Sequence, residues 1–93
     1  MKVTVKLGRS FSRASGFSRR EVELAPGASA RELLFALGSA APGLSCLDPA
    51  TGAVDLGAAN LSVNGRAVDP RHPERTALGD GDSCYLYGVL SGG

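Results

Sequence analysis

The feature that most constrains this fold is a single amphipathic helix with an identifiable start. Residues 29–32 read Ser-Ala-Arg-Glu, a capping box in which the Ser29 oxygen accepts from the Glu32 amide and the Glu32 side chain reaches back. Gly38 is read as the C-terminal stop. One face between them is apolar and carries Ala30, Leu33, Leu34 and Leu37. Because one such helix covers one face of one sheet, the rest of the chain has to supply that sheet.

Two stretches before the helix alternate between apolar and polar residues, as half-buried strands do. In residues 2–7 the apolar side comprises Val3, Val5 and Leu7, and the polar side comprises Lys2, Thr4 and Lys6. Residues 20–24 direct Val22 and Leu24 inward. Residues 8–16, between the two strands, are rich in Ser, Arg and Gly, which indicates a hairpin loop longer than a tight turn.

Strand signals return in the last third of the chain. The dipeptide Asn64-Gly65 tolerates the positive φ values of a type I′ turn, so two strands are predicted to meet there. Residues 79–82, Gly-Asp-Gly-Asp, mark another turn, and residues 84–87 form a β-rich run. Residues 39–60 lack periodicity and are read as a connecting segment. The order strand, strand, helix, long connection, hairpin, strand predicts an α+β domain.

Size and charge exclude several classes of function. A chain of 93 residues supports one small domain without an enclosed catalytic cavity, and a net charge of +1 does not indicate nucleic-acid binding. The densest basic spot, Arg19-Arg20, precedes Glu21 and Glu23, and is read as a solvated strand face, with docking to an acidic partner as the alternative. Neither a leader-like N-terminus nor a run of roughly 18 apolar residues is present, so no membrane association and a cytoplasmic location are expected.

The residues that usually carry catalysis are poorly arranged for it here. His72 lies between Arg and Pro in a loop, and Cys84 alternates with core residues, where apolar surroundings keep a thiol protonated. Cys46, in the connecting segment, is read as an incidental small residue, and Asp80 and Asp82 are spaced for a turn rather than a metal site. The chain is therefore expected to be no enzyme and to bind no metal or cofactor.

The remaining candidate is the C-terminus, where a predicted strand leads into Leu90-Ser91-Gly92-Gly93. Glycine lacks a Cβ, so Gly92 and Gly93 can be threaded through a narrow channel and deliver a carboxylate into the active site of another protein. The alternative is a frayed terminus, because chain ends are often Gly-rich and disordered.

Taken together, these pieces resemble the MoaD/ThiS sulfur carriers, which are relatives of ubiquitin. The matching segments are residues 2–7, 24–29 with 32–34, 63–68, 76–82 and 91–93. The resemblance implies a ubiquitin-like β-grasp fold, with a mixed sheet of four to five strands, one main helix, and the first and last strands parallel at the centre. It also implies a division into a β-grasp domain, 1–89, and a flexible Gly-Gly tail, 90–93. The chain departs from the usual pattern at Gly88-Val89, where many relatives carry a proline-containing pair.

By the same resemblance, the Gly93 carboxylate is the reactive group. An adenylating enzyme of the ubiquitin-activating type would use ATP to form an acyl-adenylate, which a sulfur donor turns into a thiocarboxylate. Gly92, Ser91 and Leu90 would enter the partner's pocket, Leu90 being either an apolar anchor or the last core residue. The second partner would be a sulfur-accepting synthase subunit. Exposed Lys2 and Lys6 are candidates for docking.

Molybdopterin or tungstopterin is the first choice for the destination of the sulfur, with the chain as the small subunit of the synthase. Thiamin, cysteine or another thio-metabolite are alternatives. A different class of function stays open, in which Gly93 forms an isopeptide bond to lysine as a protein modifier. A third possibility is a β-grasp interaction domain with an inert tail, for which deletion of Gly92 and Gly93 changes nothing.

Overall fold

The computed structural model describes residues 1–41, 44, 59–69 and 71–88, so the predictions for Cys46 and for residues 90–93 lie outside the described residues. The elements in chain order are β1 (Lys2–Leu7), α1 (Arg9–Ser15), β2 (Arg19–Glu23), α2 (Ala30–Ala40), β3 (Ala59–Val63), β4 (Arg66–Ala67), a 3-10 helix (Pro73–Arg75) and β5 (Ser83–Gly88). None of the helices in these ranges is long and apolar enough to cross a membrane.

The five strands form one mixed sheet in the order β2-β1-β5-β3-β4. β1 and β5 run parallel, with Val5 opposite Cys84 and Leu7 opposite Leu86, and the other neighbouring strands are antiparallel. The predicted α+β, β-grasp arrangement is thus confirmed, including the parallel pairing of the first and last strands. The strand β5 is the central strand and is paired on both sides, with β1 and with β3.

The core lies between one face of the sheet and α2. Its largest fully buried side chains are Leu33, Leu34, Leu37, Leu44, Leu86, Val3, Val5 and Cys84. Full burial of a Leu or Val side chain contributes about 1.5–3 kcal/mol, so this set supplies most of the drive to fold. The predicted alternation of β1 and the predicted apolar face of α2 are both confirmed. Val22 and Leu24 are half-buried against the same core, as expected.

The start of α2 is where the sequence places it, with different hydrogen bonds from those of the predicted capping box. The Ser29 Oγ accepts from the Arg31 amide at 3.2 Å, while the Glu32 amide donates to the Ser29 carbonyl at 3.1 Å. The Ser29 hydroxyl donates to the Glu32 carboxylate at 2.6 Å. That bond is the main reason why the pKa of Glu32 lies below its ordinary value.

The prediction that α2 stops at Gly38 is wrong. The helix continues to Ala40, and the Ala41 amide closes it by donating to the Leu37 carbonyl at 2.8 Å. Gly38 is buried on the face that carries Ala30, Leu34 and Leu37. Gly38 is therefore a buried residue within the helix rather than its terminus.

The hairpin loop predicted for residues 8–16 is also wrong, because α1 occupies most of it. Gly8 is extended and its amide donates to the Leu86 carbonyl at 2.8 Å, which fixes the start of α1 beside β5. Phe11 packs partly buried against the core, and Gly16, at φ 86°, ends the helix by donating to the Ser12 carbonyl at 3.0 Å. A helix of seven residues is marginal by itself, so tertiary packing stabilises it.

Candidate functional site

The outer face of the sheet, opposite α2, is polar and aromatic. Side chains directly opposite each other on neighbouring strands share a face, so the register defines this surface. It carries Lys2, Thr4, Lys6, Arg19, Glu21, Glu23, Asn60, Ser62, Ser83, Tyr85 and Tyr87. These residues are exposed or half-buried, in contrast to the apolar inner face. The outer face is therefore a surface available to a partner.

Two aromatic rings stand on this face. The centroids of the Tyr85 and Tyr87 rings are 5.1 Å apart, with the rings stacked at 24°. Tyr85 is 39% exposed, and the other exposed large hydrophobic residue among those described is Phe35 of α2, at 49%. A shallow groove of about 470 Å³ runs beside it, between Lys6 and the Asn64-Gly65 turn. Tyr side chains combine a rigid apolar ring with a polar tip and are enriched in protein interfaces.

The described residues end with the last residue of β5. Gly88, the last residue of that strand, is buried and lies opposite Ala59 of β3. The predicted tail residues Leu90, Ser91, Gly92 and Gly93 lie outside the described residues, as does Val89. In the sequence these residues follow directly after the central strand β5, at the end of the sheet where Tyr87 and Lys6 are located.

The two lysines are exposed, as predicted, but they occupy different surroundings. Lys6 is beside Tyr85 across the parallel pairing, whereas Lys2 is opposite Glu23 at the other end of β1. Four residues of extended strand separate them by about 13 Å. The structure brings Lys6, and not Lys2, to the end of the sheet from which the tail continues.

Cys84 is in the core, as predicted, with no exposed surface. Burial, with a smaller effect from the charge of Asp82, raises the pKa of the Cys84 thiol to about 11. Such a thiol stays protonated near neutral pH and is a poor nucleophile. His72 is on the surface, with its Nδ1 3.5 Å from the Glu74 carboxylate, and the 46% exposure of both side chains agrees with the predicted loop position.

The aspartates of residues 79–82 shape the turn, as predicted. Asp82 Oδ2 accepts from the Gly79 amide at 2.7 Å, and Asp80 Oδ1 accepts from the Lys2 amide at 2.8 Å. The Gly79 amide, followed by the side chain of Asn64, holds the pKa of Asp82 below its ordinary value. Over the described ranges there is no group of three or more His, Cys, Asp and Glu side chains that can hold a metal ion.

The stacked pair of exposed Tyr85 and half-buried Tyr87 was not predicted from the sequence. The signal was present, since the inward placement of Cys84 in an alternating strand requires its odd-numbered neighbours to face outward. The alternation in residues 84–87 was used only to predict the inward-facing residues, and the outward-facing tyrosines were not considered. The like-charged register of Lys6 and Arg19 was not predicted either, because sequence alone does not align two strands.

A mixed five-stranded sheet, one main helix on a single face and parallel first and last strands define the chain as a ubiquitin-like β-grasp protein. Neither a family model nor a curated protein sequence matches it. Several solved structures match the chain.

SAMP1 from Haloferax volcanii is 24% identical over the whole of both chains, with a TM-score of 0.81. A putative molybdopterin converting factor subunit 1 from Pyrococcus furiosus is 25% identical, covering 97% of this chain and 99% of its own, with a TM-score of 0.76. A complex of subunits 1 and 2 of the molybdopterin-converting factor from Helicobacter pylori contains a chain that is 22% identical over the full length of both, with a TM-score of 0.60. The resemblance predicted from the sequence is thereby confirmed in the fold: the chain has the fold of the MoaD/ThiS group of ubiquitin-like proteins.

Proposed function

We propose that this chain is a sulfur carrier protein and that the carboxylate of Gly93 is its working group. The observation that carries the proposal is the combination of this fold with the sequence Ser91-Gly92-Gly93, which follows the central strand β5. Residues 1–89 form the folded domain in this proposal, and residues 90–93 form a flexible tail. The chain is a carrier and co-substrate, and its partners supply the catalysis.

The chemistry requires activation because a carboxylate is a poor acyl electrophile. Attack of the Gly93 carboxylate on the α-phosphate of ATP forms an acyl-adenylate and releases pyrophosphate. A hydrosulfide-type sulfur donor then attacks the acyl carbon, AMP leaves with the carboxyl oxygen, and a thiocarboxylate remains. Two residues without a Cβ let the tail enter a narrow channel for both steps. Leu90 would seat the tail in an apolar pocket, and Ser91 would pass the mouth of the channel.

Two partners follow from this cycle, an adenylating enzyme and a sulfur-accepting synthase subunit. The Helicobacter pylori complex of subunits 1 and 2 supports a synthase partner for a chain of this fold. Molybdopterin or tungstopterin is accordingly the first choice for the sulfur's destination, ahead of thiamin, cysteine or another thio-metabolite. The outer face of the sheet supplies the docking surface, with Tyr85 as a central contact.

The test is intact-protein mass spectrometry with ATP, a sulfide source and host lysate, and a Gly93-deleted chain as the control. The expected result is a mass increase equal to the replacement of one oxygen by sulfur, absent from the control. A lysate that thiocarboxylates an authentic carrier and leaves this chain unchanged would contradict the proposal.

A second candidate function is protein modification, in which Gly93 forms an isopeptide bond to a lysine. The likeness to SAMP1, a small archaeal modifier protein, favours it. Both functions share the tail and the adenylation, and they differ in the product. Gly93-dependent adducts on other proteins, with a plain carboxylate on the free chain, would identify the modifier.

A further inference from the structure

Two cations stand directly opposite each other on neighbouring strands of the sheet. Lys6 of β1 and Arg19 of β2 are cross-strand partners, and both are exposed on the outer face. Like charges directly opposite each other on neighbouring strands are destabilising. At the other end of the same two strands, Lys2 is opposite Glu23, an opposite-charge pair. The Glu23 carboxylate forms an ion pair with the Met1 ammonium at 2.9 Å. The end of the two strands that carries Glu23 therefore brings opposite charges together, whereas the register of Lys6 with Arg19 brings like charges together.

A third cation, Arg9, is at the same end of the sheet. It is exposed and begins α1, immediately after Gly8, whose amide bonds to β5. The first turn of a helix favours acidic side chains, and that of α1 contains none. Lys6, Arg9 and Arg19 are here called the basic edge. Two features of it, the register of Lys6 with Arg19 and the place of Arg9, oppose the stability of the free domain.

The basic edge is next to the point where the tail begins. β5 runs parallel to β1, so Leu86 is level with Leu7, and the strand ends two residues later at Gly88. Tyr85 is the neighbour of Lys6 on the outer face. Among the described residues, neither Lys6, Arg9 nor Arg19 has a carboxylate within ion-pair distance. The cations thus lie on the β1 side of the strand end that leads to Gly93.

We propose that the basic edge docks on a protein surface lined by aspartate and glutamate, which surrounds the entrance of the site that receives the tail. The inference rests on the proposed function, because it assigns the chemistry of the partner's surface to the same tail-dependent encounter. Carboxylates placed between Lys6 and Arg19 relieve the repulsion between these two side chains. The unfavourable free energy of that repulsion in the unbound domain is thereby removed on binding. Charged rims also orient a diffusing partner, which directs the tail toward the entrance before contact.

The test is adenylation of the chain by the ubiquitin-activating-type enzyme of the same organism. The rate of adenylation is measured by ATP–pyrophosphate exchange. The test variant is Lys6→Glu with Arg19→Glu, and the matched control is Arg31→Glu with Arg71→Glu, which makes the same charge change at exposed positions away from the sheet face. The test variant is expected to raise the KM for the carrier by about tenfold or more at low salt, with kcat little changed, while the control stays within about twofold of the native chain. The native KM should also rise with salt more steeply than that of the test variant.

A measurement of folding separates docking from structural damage. Lys6→Glu alone places opposite charges across from each other, so its melting temperature should rise by about 1–4 °C while its KM increases. A loss of stability together with the higher KM would overturn the proposal, since the cations would then be serving the fold.

The remaining outcomes are also decisive. Equal KM values for the test and control variants would overturn the acidic-surface proposal and leave the sulfur-carrier function standing. An increase in the KM for ATP rather than for the carrier would mean that the cations contact nucleotide phosphates, which also overturns it. A native chain that shows no Gly93-dependent exchange would remove both proposals.

Discussion

The side-chain amide of Asn64 donates to a carboxylate oxygen of Asp82 at 3.0 Å, across 18 residues of sequence. The Asn64 Oδ1 in turn accepts from the Ser83 amide at 2.9 Å, and the Asn64 amide donates to the Ser83 carbonyl at 2.7 Å. The β3–β4 turn is thereby joined to the start of β5. This link helps to set the register of the strand from which the tail continues.

Loss of the Asp82 carboxylate should weaken this link. We expect Asp82→Ala to lower the free energy of unfolding by about 1–2 kcal/mol, because the Gly79 amide and the Asn64 side chain both lose an acceptor. Urea denaturation measures the change. The control is Glu74→Ala, whose loose contact with His72 at 3.5 Å should be worth less than about 0.5 kcal/mol. Equal effects of the two substitutions would contradict a structural role for Asp82.

The stability of the domain should fall in acid. The pKa values of Glu32 and Asp82 are both lowered in the folded state, chiefly by the Ser29 hydroxyl and by the Gly79 amide respectively. A lowered folded pKa gives stability that is fully present above the unfolded value, about 4, and is lost as the pH falls through the folded value. The urea midpoint should therefore be constant from pH 7 to about 5 and decrease toward pH 3. In Glu32→Gln with Asp82→Asn the decrease should be smaller, and an unchanged acid response would exclude these two groups as its source.

The type I′ turn should depend on Gly65. Asn64 and Gly65 have φ values of 51° and 83°, as the predicted turn type requires. Gly65→Ala should cost about 1–2 kcal/mol of unfolding free energy, because a Cβ disfavours the left-handed region even where the space around it is open. Gly79→Ala is the matched control, since its added Cβ would meet nothing nearer than the Asp82 carboxylate at 3.7 Å. Chemical denaturation of both variants checks the difference, and a cost at Gly79 as large as that at Gly65 would refute it.

The thiol of Cys84 should be unreactive toward thiol-specific reagents in the folded protein. Its thiol is fully buried, and burial raises its pKa to about 11. In a Cys46→Ser background we expect no reaction with a thiol-specific disulfide reagent at pH 8, and full reaction after unfolding in urea. Rapid labelling under native conditions would show that β5 opens readily, and would make this cysteine a reactive group after all.

The role of Leu90 can be resolved by measuring folding and partner binding on the same variant. If Leu90 is the apolar anchor of the tail, Leu90→Ala should leave the melting temperature unchanged and raise the KM for adenylation. A residue of the core would behave in the opposite way, since loss of a buried leucine side chain costs about 2–5 kcal/mol. Leu86→Ala supplies the reference for a buried leucine in the same region of the chain.

The sequence by itself determined the features that depend on neighbouring residues. The alternation of Lys2–Leu7, the start of α2 after Ser29 and the Asn64-Gly65 turn are local, because strand period, helix capping and positive φ act within a few residues. The burial of Cys84 followed from the same alternation. The likeness of the ordered segments to MoaD/ThiS proteins added the parallel pairing of β1 and β5, which no local rule supplies.

Only the tertiary structure decided the features that depend on distant contacts. Residues 9–15 form a helix because Gly8 bonds to β5 and Phe11 packs against the core. The helix α2 continues through Gly38, which is buried on its inner face. The alignment of Lys6 with Arg19 is a property of the register between β1 and β2, and a shift of one residue would change which charges meet. Local propensities are worth fractions of a kcal/mol per residue, and packing against a folded core outweighs them.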